Sequence, residues 1–230
     1  MSKLQKSILI VFLVLLVDQI LKIWIKTNMT LGQEFPVIGH WFIINFVENN
    51  GMAFGFEFGG EYGKIFLSLF RIVAVFGIGW YILQLIKKGL PMGFIACVSL
   101  IFAGAIGNII DSAFYGLIFN DSNGQVSTLF PVDGGYASFL HGRVVDMFYF
   151  PLFSGVFPNW VPLVGGTDFQ FFRPVFNVAD SAISVGIFSI IIFYRKQFNN
   201  LDKKEKEETV TEQKQEQAPE IASENESSGI

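Results

Sequence analysis

Four apolar stretches, at about 7–25, 65–86, 90–114 and 176–194, constrain this 230-residue chain more than any other feature. A helix rises about 1.5 Å per residue, so crossing the hydrocarbon core of a bilayer takes about 20 apolar residues, and each stretch is close to that length. In lipid the backbone finds no water to bond, so each stretch must close its own hydrogen bonds as a helix. Composition agrees: 51% of the residues are hydrophobic, 27 are Phe and the mean hydropathy is positive, too apolar for a soluble domain of this size. The expected fold class is a mainly α membrane protein with four transmembrane helices.

Charge gives the orientation. Lys3 and Lys6 precede the first stretch, Lys87 and Lys88 separate the second from the third, and Arg195, Lys196, Lys203 and Lys204 follow the fourth. The positive-inside bias then puts both termini in the cytoplasm. The first stretch resembles a cleaved leader, but Asp18 and Lys22 interrupt it and no small-residue cleavage site follows, so a retained span is expected. Two external segments remain, at about 27–64 and 115–174. The first holds HWFIINFV, and the second holds the turn-rich NDSNGQ and PVDGGY followed by HGRVVDMFYF. Their aromatic and β-branched runs suit strands of a small sheet resting on the outer leaflet. Residues 1–198 thus read as one membrane domain and 199–230 as a disordered cytoplasmic tail, which carries much of the negative charge behind the net of −4. Cys97 is the one cysteine and His40 and His141 the only histidines, so neither an intrachain disulfide nor a metal site is expected.

Ionisable residues within lipid must find partners and are functional candidates by default. Asp18 and Lys22 lie four apart on one face of the first helix, either as a structural ion pair or as part of a site. GAIGNIID puts Asn108 and Asp111 three apart behind small residues that packing alone would explain. Asn108 is the stronger site candidate; Asp111 reads equally as a local cap. Asn177 and Asp180 open the fourth stretch, where the helix dipole favours a carboxylate in any case. Arg143 and Asp146 flank a Val pair in the second external segment, as a solvated strand pair or as catalytic groups. Depth joins these residues. Asn108 lies about 27 Å from the inner start of its helix and Asp180 about 6 Å inside the outer start of its own, so both approach the level of Asn49 and Asp146.

The chain has no Gly-x-Ser-x-Gly, Ser-x-x-Lys or His-Glu-x-x-His motif and no phosphate loop. Carboxylates remain. Two Asp held close cannot both ionise readily; the ionised one can activate water while the protonated one polarises a carbonyl. The competing use of buried carboxylates is ion or proton transport, although no broken helices or inverted repeat mark the chain as a transporter.

Five stretches in order, VDQILKIWI, ENNGMAFG, GAIGNIID, GRVVDMF and FNVADSAIS, resemble lipoprotein signal peptidase, the signal peptidase II family of bacterial aspartic peptidases. They span 17–184. The resemblance implies four helices with a periplasmic β-cradle, a short periplasmic helix or loop closing over the site, and an inner-membrane location with the active site at the periplasmic face. It implies removal of the signal peptide from a prolipoprotein just before a diacylglyceryl-modified cysteine, with no cofactor, no nucleic-acid partner and a monomeric enzyme in contact with membrane lipid. By motif position Asp146 and Asp180 match the catalytic pair, Asn108 and Asn177 the flanking amides, Asn49 a substrate contact, and Asp18 with Lys22 a supporting polar pair. Ser112 stands where the family often has Arg, which makes Arg143 a candidate replacement. The stretch between Asp111 and Asp146 is longer than the compact family pattern; a tolerated surface insertion is favoured over an enlarged lid.

Overall fold

The computed structural model describes residues 1–49, 60–151, 153–171 and 174–197. Positions 50–55 of ENNGMAFG and the tail expected at 199–230 lie outside the described residues.

The first helix, α1 (Lys3–Asn28), begins at a capping box: Ser2 Oγ accepts from the Gln5 amide at 3.2 Å and Gln5 Oε1 accepts from the Ser2 amide at 2.8 Å. The charged pair at 18 and 22 does not interrupt it. After α1 come strands β1 (Glu34–Ile38) and β2 (Phe42–Asn49), then α2 (Gly60–Lys87) and α3 (Met92–Ile110). Gly89, at φ 74°, makes the left-handed turn between the two helices. Lys3 Nζ donates to the Gly89 and Leu90 carbonyls at 2.9 and 2.7 Å. The start of α1 is thereby tied to the α2–α3 turn, so these basic ends lie together.

The helix begun by α3 does not stop at Ile110. It widens into a π-helical turn at Asp111–Tyr115 and ends as α4 (Gly116–Ile118). A π turn loosens the carbonyl ladder. Here the Ser112 and Ala113 carbonyls accept from the Gly142 and Leu140 amides, at 2.8 and 3.4 Å. Gly142 is required at this docking point, because a Cβ there would lie 2.1 Å from the Asp111 carbonyl oxygen. The chain leaves it directly into β3 (Val144–Tyr149), followed by β4 (Phe153–Val156), β5 (Asp168–Phe171), β6 (Val175–Phe176) and α5 (Val178–Phe193).

Strands β1, β2, β3 and β6 form an antiparallel sheet in that order, and β4 and β5 pair separately as a hairpin. The strands expected at HWFIINFV and HGRVVDMFYF are β2 and β3. Phe176, expected within the fourth helix, instead pairs with Phe148 in β6, and the helix starts two residues later. Ile25, Met29, Phe46, Tyr115, Phe119, Val145 and Met147 build the buried core between α1, the sheet and the end of the third helix. The long stretch before β3 packs against this region: the Ser127 amide donates to the Lys26 carbonyl at 3.1 Å, and Thr30 bridges to Val126.

Among the described residues three helices are long and apolar enough to cross a membrane: Lys3–Asn28, Leu69–Lys87 and Met92–Ile118. The fourth expected span, α5, is apolar but only 16 residues, a rise of about 24 Å. Large apolar side chains such as Phe12, Ile20, Phe76, Trp80 and Phe188 are exposed along the helices, the reverse of a water-soluble bundle. The chain divides into two compact units, Met1–Ile187 and Phe188–Ile230; of the second, only the end of α5 and residues 194–197 are described.

Candidate active site

Helix α3 and the first turns of α5 approach through small residues. A Cβ on Gly104 would lie 2.2 Å from the Ala179 carbonyl oxygen, and one on Gly107 would lie 3.1 Å from Ala179 Cβ and 2.9 Å from Asp18 Oδ2 of α1. Close backbone approach is the usual role of such glycines between membrane helices. Here it also places Asn108, one residue after Gly107, beside the start of α5.

That start is built by Asn177 and Asp180. The Asn177 side-chain oxygen accepts from the Asp180 amide at 2.8 Å, and Asp180 Oδ2 accepts from the Asn177 amide at 3.4 Å, a reciprocal cap. Asp18 Oδ1 accepts from the Ala179 amide at 2.9 Å, so a second carboxylate meets the positive end of the helix dipole. The dipole argument therefore accounts for the position of Asp180, but only for one of its oxygens. Its Oδ1 accepts from Asn108 Nδ2 at 2.8 Å.

Asn177 also reaches the sheet. Its Nδ2 lies 2.7 Å from Asp146 Oδ1, 3.1 Å from Asn108 Oδ1 and 3.2 Å from the Val145 carbonyl oxygen. Two hydrogens shared among three acceptors hold this amide between α3, β3 and α5. Asp146, 3% exposed, accepts on its other oxygen from Asn49 Nδ2 at the end of β2. Burial and the negative charge of Asp180 push the Asp146 carboxyl up to about 8, while Lys22 and the two amides oppose the rise. Burial and its neighbour's charge thus both favour the protonated form of Asp146.

Behind the two carboxyls lies a fully buried ionic cluster. Lys22 Nζ donates to Asp18 Oδ2 at 2.9 Å, Asp111 Oδ2 at 2.8 Å and Asn108 Oδ1 at 3.1 Å. An ammonium has three hydrogens, and each has an acceptor. Asp111 is thus more than a local cap: it also accepts from the Val145 amide at 3.2 Å, which anchors β3 one residue before Asp146. Gln19, which the sequence reading passed over, links the two acids, with its Nε2 at 3.1 Å from Asp18 Oδ2 and 3.0 Å from Asp111 Oδ1.

Eight of the sequence candidates, Asp18, Lys22, Asn49, Asn108, Asp111, Asp146, Asn177 and Asp180, therefore share one hydrogen-bonded network. Arg143 does not join it. Its guanidinium contacts Glu48 at 3.0 Å and Asp121 at 3.2 Å, which hold it among a second set of charges. Ser112 is buried and donates to the Asn108 carbonyl at 3.1 Å, which supports the helix but brings no cation. A cation comes instead from Arg71 of α2, whose charge is felt by Asp180, Asp146 and Asp111. Arg71 was passed over in the sequence, although an arginine inside an apolar span is a signal that could have found it.

The sequence model of a family described as signal peptidase (SPase) II matches residues 10–195. The chain is 56% identical over 187 residues to the lipoprotein signal peptidase of Porphyromonas gingivalis, covering 80% of each. It is 39% identical over 198 residues to that of Amoebophilus asiaticus, covering 83% of this chain and 78% of the relative. With that of Staphylococcus aureus it shares 31% over 201 residues, 87% of this chain and 93% of the relative. Among solved structures, a bacterial membrane enzyme superposes with a TM-score of 0.58 at 27% identity, covering 85% of this chain and 91% of that one.

Proposed function

The chain belongs to the signal peptidase II family and removes signal peptides from prolipoproteins; from that premise we propose that Asp146 and Asp180 are its catalytic pair and that it is an aspartic endopeptidase. Ion or proton transport, the competing expectation, finds no support among these relatives. The observation that carries the reading is the single amide of Asn177, which touches Asp146 and caps the helix turn that holds Asp180.

In this reading Asp146 is the acid and Asp180, which is half-buried and therefore open to a water molecule, is the base. Asp180 takes a proton from that water as its oxygen attacks the scissile carbonyl carbon. Asp146 donates its proton to the carbonyl oxygen, so no free oxyanion forms in a site of low polarity. On collapse one hydroxyl of the tetrahedral species returns its proton to Asp146 as the C–N bond breaks, and the proton held by Asp180 leaves with the amine. Asn108 and Asn177 keep the carboxyls in register, and Lys22 with Asp18 and Asp111 fixes Asn108. Asn49 is a substrate contact, and Arg71 takes the role of the cation that Ser112 lacks; Arg143, already bound by two acids, is the poorer candidate for it.

Four spans, with α5 as the short fourth, put both termini in the cytoplasm and the pair at the periplasmic face of the inner membrane. The sheet then rests on the outer leaflet. A diacylglyceryl group held in that leaflet brings the bond beside the modified cysteine to a fixed depth and replaces a search in solution by a positioned reaction. The enzyme works as a monomer.

The test is cleavage of a lipid-modified precursor by purified Asp146→Asn and Asp180→Asn. Both are expected to fold and to lose about 10³-fold or more in kcat. Substantial cleavage by either would overturn the assignment. Unmodified precursor is expected to be a poor substrate, and equal turnover of the two forms would refute positioning by the acyl chains.

A further inference from the structure

Strands β2 and β3 form a partition. Val47 pairs with Asp146, Glu48 with Val145 and Asn49 with Val144. Side chains alternate along a strand, so Asn49 and Asp146 share one face and Glu48 lies on the other. The Glu48 carboxylate, 1% exposed, is closed from three directions on that far face. Lys26 of α1 and Ser122 Oγ, the latter at 2.8 Å, donate to its Oε1, and Arg143 donates to Oε2 at 3.0 Å. Lys26 is itself fully buried, with the rings of Phe119, Tyr136 and Phe46 at 5.0, 5.3 and 5.8 Å from its ammonium. Ser122, Asp121 and Tyr136 all come from the long stretch between Asp111 and Asp146.

Such a cluster is a poor source of stability, because desolvating several charges offsets most of their attraction, and apolar residues would fill the space at no such cost. What it supplies is direction. The pairing of β2 with β3 is irregular between Ile44 and Val47, so the pairs at Val47, Glu48 and Asn49 form a short separate ladder, with Glu48 at its centre. We infer that Glu48 is a positioning residue for the cleavage reaction, and that Lys26, Ser122 and Arg143 clamp it from behind so that the next residue, Asn49, meets Asp146. The long stretch is then neither a lid nor a neutral insertion; it carries part of the clamp.

This inference rests on the proposed catalytic pair, and a double-mutant cycle separates the two. The full chain is purified as wild type, Glu48→Gln, Asn49→Ala and the double variant, with lipid-modified precursor as substrate. Glu48→Gln is expected to lower kcat about tenfold with KM changed less than about twofold, the size of a positioning loss. In the Asn49→Ala background the same substitution is expected to cost less than about twofold more, the non-additivity of residues that act through one another. Equal losses in both backgrounds, or an unchanged kcat in the single variant, would overturn the inference while an inactive Asp146→Asn left the pair standing. Active Asp146→Asn would remove the pair itself. Should Glu48→Gln fail to fold, Arg143→Gln removes only the half-exposed arm of the clamp and carries the same cycle: a loss confined to the Asn49 background supports the clamp, and any other pattern refutes it.

Discussion

Replacing Gly104 by Ala adds one methyl group at the tightest point between α3 and α5. Its Cβ would stand 2.2 Å from the Ala179 carbonyl oxygen and 2.7 Å from Ile183 Cγ1. A carbon–oxygen contact needs about 3.3 Å. The oxygen is backbone and cannot rotate away, so the two helices must part by about 1 Å. Asp180 follows Ala179 directly, and its bond from Asn108, now 2.8 Å, would stretch to about 3.8 Å, beyond hydrogen-bond range. Misplacing a reacting group by about 1 Å costs on the order of 10²-fold in rate, and overpacking costs about 1–3 kcal/mol of stability. The assay is kcat/KM on lipid-modified precursor, with Gly77→Ala as control, since nothing lies within 4 Å of a Cβ there. Wild-type activity in Gly104→Ala, or an equal loss in Gly77→Ala, would refute the claim that this helix contact sets the position of Asp180.

Lys22→Met leaves Asp18 and Asp111, both 0% exposed, without their shared cation, and is expected to cost about 3–5 kcal/mol. In a domain of this size that lowers Tm by about 10 °C, and a change under about 2 °C would contradict the pairing. The pH dependence follows from Asp146, whose folded carboxyl is raised to about 8. Activity that needs its proton falls on an alkaline limb near pH 8. Stability runs the same way: the buried acid's contribution is complete below its unfolded pKa of about 4 and declines as pH rises towards 8. A kcat/KM profile flat from pH 6 to about 10 would reject Asp146 as the proton-holding member.

Much of the site was legible because it obeys short periods. Asp18 with Lys22 and Asn177 with Asp180 are helix neighbours, and spacing alone put each pair on one face. Local periodicity does not reach across the chain, however. Lys22 binds Asp111 and Asn108 across nearly ninety residues, and Asp111 holds the Val145 amide, so its larger role was hidden. Arg71 and Lys26 carried a visible signal as charges in apolar helices, while Glu48 carried none, since an acid in an external strand is ordinarily solvated. The start of α5 shows the limit of reading hydropathy: Phe176 is apolar enough to belong to the span, but the cap formed by Asn177 and Asp180 fixes the first turn, and Phe176 is left to the sheet.

The π turn at Asp111–Tyr115 has a consequence for anyone who would exchange parts among these peptidases. It takes up one more residue than an α-helix covering the same length, and one residue is about 100° of helical rotation. A graft whose third helix is α-helical throughout would arrive at Tyr115 out of phase. The Ser112 and Ala113 carbonyls that now receive Gly142 and Leu140 would turn back into the ladder, and the chain would enter β3 from a different angle. Chimeras with a junction before Ile110 should therefore tolerate foreign sequence, whereas those joined between 111 and 142 inherit a rotation that no side-chain repair can undo.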